Sequence, residues 1–185
     1  KGGLEIVHLN EMEIIESWIS TLKTKKQLTI LDLGTGTGRA LKSLLKVSPK
    51  IIYALDQSPA MLKFIEDNYP GQVKNGKVKI IVGSSDKIDL PANSVDVVLS
   101  LHVFKHIKDI NPTLKEVHRI LKPNGAIIFD ALNTNSIVRF NLGTCYALNK
   151  SLIIKSLQKN GFNIVKIVQL HAFGETVYNF PGALV

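Results

Sequence analysis

The chain has 185 residues, of which 45% are hydrophobic and 21% charged, and a formal net charge of +8. That length and balance predict one globular domain with a sizeable core and exclude a disordered or fibrous chain. A single cysteine, Cys145, excludes an internal disulfide or a cysteine metal site and suits a reducing, cytoplasmic compartment.

Residues Leu4 to Leu22 predict a helix. Ile14, Ile15, Trp18, Ile19 and Leu22 recur at helical spacing, with Glu11, Glu13 and Glu16 between them. This N-terminal helix, within residues 1–22, is expected to cover a sheet edge with Trp18 in the core. Lys23, Lys25 and Lys26 follow as the one tight basic group, at a helix end where cations suit the dipole. The stretch Leu28 to Leu41, LTILDLGTGTGRAL, organises the rest. It reads as a buried strand, a glycine turn and a helix with Leu41, Leu44 and Leu45 on one face. Gly34, Gly36 and Gly38 permit a sharp turn and a close approach of backbone to ligand. The helix start then offers free N–H groups to that ligand. A dinucleotide fingerprint, G-x-G-x-x-G, would need its third glycine at position 39, which is Arg39.

Lys50 to Asp56 predicts a second strand ending in an acid. Asp56 lies 22 residues after Gly34, close to the roughly 20-residue offset at which an acid bonds ribose hydroxyls in doubly wound sheets. A carboxylate suits that task because it accepts from both vicinal hydroxyls. Ser58 and Pro59 supply the cap and first turn of a helix reaching Asn68, broken by Tyr69-Pro70-Gly71. Lys77 to Gly83 is a third strand, followed by Ser84-Ser85-Asp86-Lys87 and a turn at Asp89. Ser94 to Leu101 is a fourth strand. It leads to His102 and His106, whose unperturbed pKa near working pH makes both candidate bases. Pro112 to Leu121 is a helix bearing a structural His118. The turn Lys122-Pro123-Asn124-Gly125 follows, with Asn124 tolerant of left-handed angles. Ala126 to Leu132 is the fifth strand, and Asn133 to Tyr146 is polar and irregular. A helix over Asn149 to Asn160 ends at Gly161 as its C′ residue. Phe162 to Leu170 is a strand, and Thr176 to Phe180 a final, hairpin-paired one. The alternation predicts an α/β fold over residues 1–185 as a single domain. Its sheet is doubly wound and Rossmann-like, mostly parallel with a final antiparallel strand, and has helices on both faces.

The glycine turn with Asp32 before it, then Asp56, Asp86 and the run LKEVHRILKPNGAIIFD, stand in an order and spacing that resemble class I S-adenosylmethionine-dependent methyltransferases. The likeness runs from about Ile30 to Leu170 and is to the small-molecule type, similar to quinone-biosynthesis and natural-product enzymes. It implies S-adenosyl-L-methionine as cofactor and a small-molecule substrate. Gly34, Thr35, Gly36 and Gly38 would carry the backbone past the methionine and ribose, with Asp32 beneath the amino group. Asp56 would bond the ribose hydroxyls with Gln57 also at the cofactor, and Met61 would either touch the adenine face or pack in the core. Ser85, Asp86 and Lys87 would line the adenine edge, Asp86 accepting from the exocyclic amine and the backbone N–H groups of Lys87 and Ile88 facing the ring. Lys87 replaces the small residue usual there. Ser100 and Leu101 would touch the cofactor through backbone, and His102 or His106 would be the catalytic base. The segment after the fourth strand lacks the Asn/Asp-Pro-Pro-aromatic and Pro-Cys patterns of nitrogen and cytosine-C5 methylases.

No metal is implied. Nucleic acid is a second, unfavoured partner, because the basic residues are spread along the chain. An RNA or protein methyltransferase, or a cofactor-binding scaffold without turnover, are the alternatives. No run is long and apolar enough to span a membrane. A monomer or homodimer is expected, and the upstream aromatic-rich lid found in many relatives is either missing or cut off from this sequence.

Overall fold

The computed structural model describes residues 2–22, 27–132, 145–170 and 175–181, with side chains described between 12 and 167. Most of the irregular stretch from Asn133 to Tyr146 therefore lies outside the described residues.

Seven strands form one sheet in the order β3-β2-β1-β4-β5-β7-β6. They are β1 (Thr29–Leu33), β2 (Ile51–Asp56), β3 (Val78–Val82), β4 (Val95–Ser100), β5 (Leu121–Leu132), β6 (Lys166–Leu170) and β7 (Glu175–Pro181). The first five pair in parallel, and β7 runs antiparallel to both β5 and β6. This is the predicted doubly wound sheet with its late antiparallel strand.

The helices sort onto two faces because strand side chains alternate. Ile30, Ile52, Val97, Leu99 and Ile128 pack beneath α1 (Gly2–Leu22), α2 (Leu41–Lys46) and α3 (Pro59–Asn68). Leu31, Leu33, Leu55, Val98, Ile127 and Phe129 pack beneath α5 (Asn111–Ile120) and α6 (Lys150–Lys159). All five residues of β1 are buried, since both of its faces are covered. Trp18 is buried in the first of these cores, and the Lys166 ammonium lies 5.4 Å from its ring centre.

Several boundaries differ from the sequence expectation; β6, for one, starts at Lys166 rather than Phe162. The helix after the glycine turn starts only at Leu41, because Gly36 and Gly38 hold positive φ, outside right-handed helical space. Tyr69-Pro70-Gly71 ends α3, but the chain re-enters a helix at once, α4 (Pro70–Lys74). Proline bars the preceding residue from helical angles yet suits the first helical position itself. Leu121 pairs with Val95 before the Lys122–Gly125 turn and Ala126 pairs with Val97 after it, so the turn interrupts one strand. Asn124 takes the expected left-handed angle, φ 63°, and Gly161 likewise follows α6 at φ 83°.

The order reverses between β1 and β4. In open α/β sheets ligands settle in the crevice outside the strand ends at such a switch point.

Candidate functional site

A cavity of about 610 Å³ opens at that crevice, within the roughly 300–1,000 Å³ typical of small-ligand clefts. Its floor is the turn after β1. The N–H groups of Gly34 and Thr35 donate to the Leu55 carbonyl at 2.8 and 2.9 Å, which ties the turn to the end of β2. Gly34 has φ 72°, and a Cβ there would stand 2.1 Å from Val103 Cγ2, so only glycine fits. Gly36 has φ 55° with nothing within 4 Å of a Cβ position. It is the point where bare backbone faces the cavity. Gly38 does something else: a Cβ there would meet Leu41 and Ile65 at 2.8 and 3.2 Å. Its smallness packs α2 against α3, and it is absent from the cavity wall.

Two carboxylates stand at this floor. Asp56, the last residue of β2, accepts from the Gly36 N–H and the Ser58 N–H, each at 2.9 Å, one on each oxygen. It fastens the glycine turn to the start of α3, and each oxygen keeps a further lone pair for a ligand. Asp32, on β1, is 3% exposed. Thr35 Oγ1 donates to it at 2.6 Å. Burial pushes the Asp32 carboxyl up to about 6; the Thr35 hydroxyl pulls it back, and the Asp56 charge adds to the rise.

The opposite wall comes from the segment after β4: Leu101, His102, Val103, His106 and Ile107. Ser100 is fully buried behind it, and its hydroxyl donates to the Leu33 carbonyl at 3.1 Å. His102 holds φ 61°. Its backbone N–H donates to Asp130 Oδ1, from β5. Its ring Nδ1 is buried and lies 2.9 Å from Asp130 Oδ2, off the line of an ideal hydrogen bond. His106 is exposed, in a 3₁₀ turn over Phe104–His106, and its Nδ1 is 3.9 Å from Cys145 Sγ.

Of the residues named from sequence, the cavity wall gathers Asp32, Gly34, Thr35, Gly36, Asp56, Gln57, Met61, Ser85, Leu101, His102 and His106. Gly38, Asp86, Lys87 and Ser100 are not on it. Asp86 is exposed and accepts from the Ser84 hydroxyl, which in turn accepts from Gln57 Nε2 at 3.3 Å. The Lys87 N–H donates to the Ser84 carbonyl and the Ile88 N–H to Glu116 Oε2 at 3.0 Å, so neither faces a ring in the cavity. This loop is clamped from α5. Arg119 donates to the Leu90 and Ile88 carbonyls at 2.8 Å each, and the Ser85 and Thr113 hydroxyls are 2.9 Å apart.

Sequence reasoning missed Thr37, Arg39, Gly83, Val103 and Ile107 on the wall. Arg39 was visible only as a broken fingerprint. Val103 carries no local signal, because its role is set by contact with a turn nearly 70 positions away.

Among the described residues no group of His, Cys, Asp and Glu could hold a metal ion, and no helix is long and apolar enough to cross a membrane.

A family model described as a methyltransferase domain matches residues 31–129. A demethylmenaquinone methyltransferase of Chlorobaculum tepidum is 29% identical over 142 residues, covering 71% of this chain and 56% of that protein. A tRNA N(3)-cytidine methyltransferase METTL6 of Pongo abelii is 30% identical over 181 residues, covering 86% of this chain and 64% of that protein. The chain thus spans less than two thirds of the length of these two relatives. The crystal structure of magnesium protoporphyrin IX methyltransferase from Synechocystis PCC 6803, with bound SAM, superposes with a TM-score of 0.78 at 14% identity, covering 97% of this chain and 82% of that one.

Proposed function

This chain belongs to the class I S-adenosylmethionine-dependent methyltransferase superfamily, and on that premise we propose that it moves a methyl group from S-adenosyl-L-methionine (SAM) to a small-molecule acceptor. One observation carries the reading: bare backbone at Gly36 faces the cavity between two carboxylates, one of them buried with no cation beside it among the described residues. A ligand with an ammonium group and a vicinal diol answers both acids. A Cβ at Gly36 would occupy the space such a ligand needs.

In this reading Asp32 holds the amino group, and the arriving cation favours its ionised form. Asp56 accepts from the ribose hydroxyls with the lone pairs that the Gly36 and Ser58 N–H groups leave over. Gln57, Met61 and Ser85 line the adenine end. The bound cofactor supplies an electrophilic methyl group on a sulfonium. The protein's own contribution is to hold the acceptor atom in line at about 3 Å. Val103 and Ile107 make that part of the wall apolar and help to exclude water.

The test is calorimetric titration with SAM, its demethylated product and NAD, followed by a screen of methyl acceptors. Binding of the first two, no uptake of NAD and turnover with a small acceptor are the expected results. Uptake of NAD alone overturns the reading.

The net charge of +8 and the relative named as a tRNA methyltransferase favour RNA as the second acceptor class. An RNA acceptor would bind at least tenfold more weakly between about 50 and 200 mM salt, whereas a small neutral acceptor would not.

A further inference from the structure

The segment after β4 adopts a conformation that non-glycine residues uncommonly take, and it does so to place one histidine. His102 sits at φ 61°. In that conformation its backbone N–H and its ring Nδ1 both turn to the same carboxylate, that of Asp130. One oxygen takes the backbone; the other stands 2.9 Å from the ring nitrogen. The carboxylate is 3% exposed, whereas the histidine side chain is 24% exposed and on the cavity wall. The pair is thus a buried anion behind a ring that reaches the reaction space. β4 and β5 are hydrogen-bonded neighbours with Ser100 beside Phe129, so Asp130 is held in the sheet and His102 follows two residues after the end of β4.

The geometry points to His102 as the base that removes the acceptor's proton and to Asp130 as the positioning residue that fixes its tautomer. The inference rests on the methyl-transfer reading of the cavity. A carboxylate accepts only, so Nδ1 must carry the proton and the lone pair is on Nε2. The anion also favours the imidazolium that forms during the step. Catalytic contacts that are off line in a free enzyme tighten when the reactants bind. In the step itself the acceptor's X–H bond breaks and its proton goes to His102 Nε2. The pair freed on X forms the bond to the methyl carbon, and the pair from the broken carbon–sulfur bond stays on sulfur. The imidazolium then releases its proton to water. Among the described residues, the other titratable or charged groups on the cavity wall are Asp32 from β1, Asp56 from β2, Arg39 from the turn and His106 from the 3₁₀ turn. His106 has a thiol, not a carboxylate, beside its Nδ1.

The experiment is long-range proton–nitrogen NMR of the imidazoles in the full chain, free of ligand, with Asp130→Asn alongside. In the wild type, His102 should carry its neutral-state proton on Nδ1. In Asp130→Asn the amide oxygen remains with the His102 N–H and the NH₂ faces the ring, so the proton should move to Nε2. Turnover should fall at least a hundredfold, with the SAM Kd within threefold of wild type. An unprotonated Nδ1 in the wild type overturns the inference, whether or not the variant folds. So does an Asp130→Asn enzyme with unchanged turnover. Calorimetry with SAM on the same wild-type sample separates the two readings: SAM binding with the wrong tautomer sinks this inference alone, and no SAM binding sinks the methyl-transfer reading and the base role with it.

Discussion

Asp32 and Asp130 are each 3% exposed and each stands toward the end of a parallel strand, yet their surroundings treat them oppositely. Asp32 has a hydroxyl for a partner and a second carboxylate for a neighbour, and burial pushes it up to about 6. Asp130 is met by a backbone N–H and a histidine ring from its own chain. Among the described residues Asp32 has no cationic partner; on the proposed reading the ligand's ammonium group would supply one. In the half built from β4 and β5 the protein itself places a backbone N–H and a ring nitrogen beside the carboxylate. A buried charge without a partner costs stability and is kept where a ligand supplies the partner; a buried charge with an internal partner orients a side chain.

The strongest way to break this comparison is to force the halves apart. Gly34 of one half touches Val103 of the other, so Gly34→Ala places a Cβ 2.1 Å from Val103 Cγ2 at φ 72°. Overpacking and left-handed strain together should cost about 3 kcal/mol in chemical denaturation, and Val103→Ala in the same chain should recover part of it. A Gly34→Ala protein as stable as wild type would mean the halves do not meet there.

Asp32→Asn sharpens the contrast. The native state holds a proton on Asp32 up to about pH 6, whereas the unfolded chain releases it near 3.8. The native state therefore binds more protons between these values, and wild-type stability falls as pH rises through them. The loss reaches about 3 kcal/mol above pH 6. Asp32→Asn should remove that slope and be the more stable protein at pH 7 in denaturant titrations, while binding SAM more weakly. A variant less stable than wild type at pH 7 would show that Asp32 is already compensated.

Asp56→Ala removes the acceptor for two backbone N–H groups and the proposed ribose contacts. SAM affinity measured by calorimetry should drop by about 1–3 kcal/mol; unchanged affinity takes Asp56 out of the site. The smallest effect is expected of Asp86→Ala. An exposed residue off the cavity wall should change SAM affinity by no more than about 0.5 kcal/mol, and a tenfold loss would return Asp86 to the adenine.

The glycine-turn half was legible because its requirements are local. A turn with positive φ at Gly34 and Gly36 favours glycine, and an acid at the end of the next strand has a countable offset. The β4–β5 half was only half legible. His102 stood out as a titratable residue, but Asp130 reads as one more residue of a buried strand. Asp86 is the converse case: its order in the chain matched the resemblance, yet the turn at Ser84–Lys87 folds its hydrogen bonds inward and leaves its carboxylate outside the cavity wall.

The amino-acid order by itself determined the alternation of strands and helices, the two-faced burial of the sheet and the glycine turn beside Asp32, because hydrophobic period and backbone permission are properties of neighbouring residues. Tertiary structure alone decided that Val103 closes on Gly34, that Glu116 and Arg119 clamp the loop after β3, and that Asp130 stands behind His102. Those pairs are 28 or more positions apart, and only the register of packed strands and helices brings their atoms within reach.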